Sequence, residues 1–224
     1  MKKILFSFLF IIVISPVFAQ TVKFGISGGL NESSLDSKDQ SGDKYARLAG
    51  FNAGIFSDID FGKVSIEPGL FYTTKGQRLT NIIYYEIPST SPGGSLNGHG
   101  SNIYNYLELP VNILYNIPVS FGKFFIGGGP YLAYGLSAKS KVSTTETSGG
   151  SSSTIESDTQ LSFGSDNAEL KRFDFGLGAK GGLALKNGLS LSAGYEHGLS
   201  NVVNESGLSI KNEVLSVSLG YCFL

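Results

Sequence analysis

Beyond about residue 20 the chain alternates between apolar and polar positions, and no sustained apolar pattern recurs at three-four spacing. Alternation marks strands, because successive side chains of an extended backbone point to opposite faces. The clearest stretch is 106–115. One face carries Leu107, Leu109, Val111, Ile113 and Tyr115, and the other carries Tyr106, Glu108, Pro110, Asn112 and Leu114. Comparable stretches centre near 64–73, 124–136, 173–185, 189–196 and 215–223, and two weaker ones lie at 22–30 and 47–57. The pattern therefore predicts eight strands. Their apolar faces hold no Asp, Glu, Lys or Arg; Lys23, Glu67, Glu108, Asp174, Lys180 and Glu196 all fall on the opposite face. Pro68 and Pro110 lack the amide that a ladder needs, so they predict local irregularities.

Two features set the direction of the apolar face. The polar face is crowded with glycine, including Gly127, Gly129, Gly176, Gly178 and Gly182. An eight-stranded barrel is only wide enough for side chains to fill it, so small residues beside a few large charged ones suit its interior. Connections also alternate in length. Segments 31–46, 76–103, 139–170 and 200–212 are long or intermediate, whereas 58–62, 117–122 and the Asn187-Gly188 turn are short. Long connections at one end and tight turns at the other are the habit of outer-membrane barrels, whose apolar face meets lipid. The expected fold is an all-β, eight-stranded antiparallel up-and-down transmembrane β-barrel, with both termini and the short turns in the periplasm. Aromatic residues then form two belts. Tyr72, Tyr134, Phe173 and Tyr195 lie near the external ends, and Tyr115, Phe124, Tyr221 and Phe223 near the periplasmic ends. A soluble lipocalin-like carrier, with the same face turned inward, is the competing reading.

The first 19 residues have their own character. Lys2-Lys3 precede the apolar run Ile4 to Ile14, and Ser15-Pro16 then leads to Val17-Phe18-Ala19. This is the three-part form of a secretory signal, and the run is too short to span a bilayer. Residues 1–19 are thus expected to be removed, leaving 20–224 as one barrel domain. The whole chain has 17 Lys+Arg against 18 Asp+Glu; without Lys2 and Lys3 the balance is 15 to 18, or −3. That mild acidity speaks against a nucleic-acid partner. One cysteine excludes a disulfide framework and a cysteine-based zinc site. The 16% share of charged residues is low against about 25% in soluble domains.

Several short segments carry a family likeness: Tyr106-Leu107-Glu108-Leu109-Pro110, Gly129-Pro130-Tyr131-Leu132, Phe173-Asp174-Phe175-Gly176-Leu177, Tyr195-Glu196-His197-Gly198-Leu199 and the terminal Leu219-Gly220-Tyr221-Cys222-Phe223. With them the chain resembles the OmpX-like and PorT-like outer-membrane β-barrel family. The resemblance implies a Gram-negative type outer membrane, insertion by the barrel-assembly machinery and no catalytic motif.

Candidate chemistry is sparse. The inward charges Glu67, Glu108, Asp174, Lys180 and Glu196 are read as a polar network filling the lumen, with Lys23, Lys75 and Lys123 as further cationic partners. An unpaired charge there costs several kcal/mol, so pairing or hydration is required. His99 falls in a Gly/Ser/Asn-rich segment without ligand partners, and His197 continues an outward phase at the headgroup level. No Gly-x-Ser-x-Gly elbow is present. Cys222 is expected as a small buried residue, and Gly149 to Ser153 as a flexible tip. Catalytic, metal and cofactor sites are accordingly expected to be none. The expected role is a non-enzymatic, monomeric structural or surface-interaction protein whose partners are outer-membrane lipid and a surface ligand of the long loops. A narrow porin-like transport or secretion-accessory role is the alternative.

Overall fold

The computed structural model describes residues 21–37, 44–82, 95–148, 151–164, 170–204 and 209–223. The proposed signal, residues 1–19, lies outside the described residues. Eleven strands follow in order: β1 (Thr21–Ser37), β2 (Lys44–Asp60), β3 (Val64–Ile82), β4 (Ser95–Val119), β5 (Gly122–Ser148), β6 (Ser151–Leu161), β7 (Phe163–Gly164), β8 (Leu170–Lys171), β9 (Phe173–Leu185), β10 (Leu189–Gly198) and β11 (Ile210–Cys222). Eight of them close into a ring, in the order β1-β2-β3-β4-β5-β9-β10-β11 and back to β1. Every pairing in that ring is antiparallel. Closure follows from Gly25↔Cys222 through Ser37↔Ile210, which joins the first strand to the last.

The apolar faces point outward. Leu30 is 74% exposed, Leu219 68% and Ile126 63%, values no soluble core would leave. Their inward neighbours Asn31 and Ser33 are buried. A soluble barrel with its apolar face inside is thereby excluded. Among the described residues no helix is long and apolar enough to cross a membrane.

Tight turns close one end. At Phe61–Lys63, Gly62 has φ +89°, and its amide donates to Asp60 Oδ1 at 2.6 Å. At Lys186–Gly188, Gly188 has φ +90°, and the Leu189 amide donates to Asn187 Oδ1 at 3.1 Å. Glycine takes this left-handed region without steric cost. Both described ends of the chain, Thr21 and Phe223, lie at this short-turn end, where the Phe223 amide donates to Phe24 O at 2.7 Å.

The other end departs from the sequence reading. Segments 76–103 and 139–170 are not mainly loops. β3 runs on to Ile82, β4 starts at Ser95, β5 runs to Ser148, and β6 folds back along it from Ser148↔Ser151 to Ala138↔Leu161. His99 therefore sits on a strand, paired with Ser143, rather than in a loop. Gly149 and Gly150 of the expected flexible tip lie outside the described residues, and Ser151 to Ser153 belong to β6. A membrane-crossing strand needs about 9–11 residues. β4 with 25 and β5 with 27 therefore extend well beyond the apolar belt.

Bulges mark the boundary. β5 shifts register against β4 between Asn105↔Ser137 and Tyr106↔Gly135, where Leu136 and Ser137 are both exposed. β2 and β3 shift between Arg47↔Gln77 and Asn52↔Thr73, beside Gly76 at φ +139°. The prolines cause less disturbance than expected. The β3–β4 ladder passes Pro68↔Val111 and resumes at Phe71↔Glu108 in unchanged register.

Candidate functional site: the barrel lumen

Inward positions bring the charged residues together across the lumen at three levels. Near the short turns, Lys123 on β5 reaches Asp58 Oδ2 at 2.8 Å and Asp60 Oδ2 at 3.4 Å on β2. Midway, Lys180 on β9 reaches Glu67 Oε1 on β3 at 2.6 Å. Towards the long-connection end, Lys75 on β3 lies 2.6 Å from Glu108 Oε2, 3.3 Å from Glu196 Oε2 and 3.7 Å from Asp174 Oδ2. β3 and β10 are four places apart in a ring of eight, so the Lys75–Glu196 contact crosses the full lumen. Lys75 is wholly buried and lies over the Tyr131 ring at 4.0 Å, a cation–π arrangement.

All five residues of the expected network, Glu67, Glu108, Asp174, Lys180 and Glu196, thus face the lumen and engage an ion pair. Lys75 and Lys123 join as cations. Lys23 has no carboxylate within ion-pair distance among the described residues. The sequence pattern places Asp58 and Asp60 in a short turn at 58–62; β2 instead runs to Asp60 and turns Asp58 inward. Extending the alternation of 47–57 by three residues would have found them.

Asp174 organises the upper level. Ser200 Oγ donates to its Oδ1 at 2.6 Å, and Asn212 Nδ2 and Tyr131 OH donate to Oδ2 at 2.9 and 3.3 Å. A buried carboxylate held by several donors avoids the penalty of an unpaired charge. Above it packs an apolar cluster of Leu35, Tyr104, Tyr106, Phe163, Leu170 and Val202. Phe163, Leu170 and Val202 come from the connections around β9, which therefore fold into the mouth instead of standing free. Arg172 fastens them: its guanidinium donates to Phe163 O at 2.5 Å and to Gly135 O at 3.4 Å.

Glycines create the room for inward rings. A Cβ on Gly135 would meet Phe163 ring atoms at 2.6–2.8 Å, and one on Gly182 would come 2.6 Å from the Phe125 ring. The polar face thus carries aromatic rings as well as charges, packed against glycine on a paired strand or connection.

The outer surface bears the aromatic belts. Tyr134 and Phe173 meet at 5.4 Å and Phe51 and Tyr72 at 5.5 Å, while Phe121–Phe124 and Tyr221–Phe223 sit at the short-turn end. His197 Nδ1 lies 3.3 Å from Glu213 Oε1, which also accepts from Tyr195 OH at 3.1 Å. This is an interfacial polar group on the outward face. Cys222 is half-buried and lines a cavity at the short-turn end, a correction to its expected burial. Among the described residues no three His, Cys, Asp or Glu side chains are grouped as metal ligands would be.

A closed antiparallel ring with an apolar exterior and a charged interior defines a transmembrane β-barrel, since closure pairs every backbone group within lipid. The chain belongs to the outer membrane protein beta-barrel domain family, whose profile matches residues 18–204. Its location is the cell outer membrane. Among solved structures it is similar to Ail, the attachment invasion locus protein of Yersinia pestis, at 15% identity and a TM-score of 0.40, over 90% of this chain and 98% of that one. It is also similar to Neisserial surface protein A (NspA), at 16% identity and a TM-score of 0.37, over 91% and 99%. No curated protein matches the chain in sequence.

Proposed function

We propose that this outer-membrane protein is non-enzymatic and acts as a structural or surface-interaction barrel whose lumen is closed to free passage. The observation that carries the reading is the set of ion pairs spanning the lumen at three levels beneath an apolar cap. At the buried Lys75–Glu108 pair, removing one partner leaves the other charge uncompensated at about 3–5 kcal/mol. The short turns and termini face the periplasm, and β6 with the upper parts of β3, β4 and β5 faces outward. That projecting sheet carries Ser, Thr and charged residues on both faces, and among the described residues β6 is its outermost strand, exposed over nearly its whole length. An outermost strand can take on a partner's strand. The working unit is a monomer in outer-membrane lipid.

Planar-bilayer recording of the refolded barrel tests closure. The expected record shows no unitary conductance. Reproducible steps that change in Glu108→Ala or Lys180→Ala replace this reading with the transport role. Protease added to intact cells tests orientation: cleavage within 139–170, and none at the turns around Gly62 and Gly188, is the expected pattern.

A further inference from the structure

The lumen is closed unequally. Below the Glu67–Lys180 bridge it widens into a cavity of about 610 Å³ that opens among the short turns. This volume lies within the roughly 300–1,000 Å³ typical of small-molecule sites. Its lining holds five lysines against three carboxylates. Lys123 and Lys180 are committed to Asp58, Asp60 and Glu67. The remaining three, Lys23, Lys63 and Lys186, have no ion-pair partner among the described residues. Two of them, Lys63 and Lys186, stand on the turns. Lys23 is different: its neighbours Val22 and Phe24 are 49% and 65% exposed on the lipid side, so its own ammonium is turned inward, away from headgroups.

Lys63 and Lys186 are exposed at the rim and Lys23 is turned inward, so the excess of lysine over carboxylate sets a positive potential at the entrance. Phe56, Leu114 and Phe125 complete an apolar wall. We propose that this cavity is a binding site for a small organic polyanion entering from the periplasm. Its carboxylate or phosphate groups meet Lys23, Lys63 and Lys186, and its carbon skeleton lies against Phe56 and Phe125. The site dead-ends at the Glu67–Lys180 bridge, so it retains a ligand without passing it on. It requires the short-turn end to face the periplasm but not the surface role.

The full barrel, refolded in zwitterionic detergent, is titrated calorimetrically with citrate. The expected result is saturable one-to-one citrate binding. It weakens at least about tenfold in the Lys23→Gln/Lys63→Gln/Lys186→Gln variant, as loss of charge-assisted contacts requires. No saturable binding, or binding indifferent to the triple variant, overturns the site. A second measurement uses the native chain. Cys222 lines the cavity and is the one cysteine present. An anionic thiosulfonate reagent should modify it faster than a cationic one, each normalised to its rate with free mercaptoethanol. Citrate should slow that modification. A preference for the cationic reagent, or no protection by citrate, overturns the proposal independently of whether the variant folds.

Discussion

Lys75 shows what a single buried ion contributes. It stands alone among Glu108, Asp174 and Glu196, with Tyr131 beneath its ammonium. Lys75→Met removes the one cation from three carboxylates and is expected to destabilise the barrel by about 3–5 kcal/mol, read as a lowered midpoint in urea unfolding in detergent. Restoration of that midpoint in Lys75→Met/Glu108→Gln would show that the loss is electrostatic and not steric. A second residue-scale test concerns the cap. Gly135→Ala places a methyl within 2.8 Å of the Phe163 ring. The ring must leave its seat, so proteolysis around 163–171 should accelerate while the folded barrel still forms. Inward charges were legible in the sequence, because period-two alternation fixes the face of each residue. Their partners were not. Lys75 and Glu196 are 121 residues apart, and only ring closure decides which inward residues meet.

At the scale of elements, the membrane-facing and projecting parts of one strand obey different rules. Leu109 is half-exposed on the apolar belt. Leu109→Arg should cost about 2–4 kcal/mol if it lies near the bilayer midplane, measured as reduced folding into lipid vesicles. The β5–β6 hairpin should behave oppositely. Among the described residues β6 pairs with β5 alone, above Ala138, so replacing 141–158 by a short turn should leave the folded barrel's mobility and unfolding midpoint unchanged. A loss of either would mean that the projecting sheet supports the ring. The same contrast explains why 76–103 and 139–170 read as loops. Strands were found where one face met lipid and the other did not. Above the belt both faces meet water, the contrast vanishes, and Ser/Thr-rich strands carry no alternation to detect.

At the scale of the molecule, closure governs behaviour. Every barrel strand pairs with a ring neighbour on each side, so the ring has no edge and unfolds as a unit. The unheated protein is therefore expected to migrate in SDS gels as a compact form that shifts on boiling, and to resist extraction by salt or alkaline wash. Release by such a wash would contradict its insertion in lipid. The two ends of the lumen are distinct. Phe163, Leu170 and Val202 pack into the long-connection mouth, and the short-turn mouth opens into the cavity. The cap was invisible in advance, because three apolar residues scattered through polar connections show no periodicity.

The sequence by itself determined which side of each strand faces lipid, how many strands cross, and which end carries the turns. Those properties are local: they follow from the two-residue repeat of an extended chain and from the chemistry of turn residues. Tertiary structure alone decided where strands continue beyond the belt, which connections fold inward, and which lysines are left without a carboxylate. Each of those depends on residues far apart in the chain meeting across a closed ring, and local alternation carries no record of that meeting.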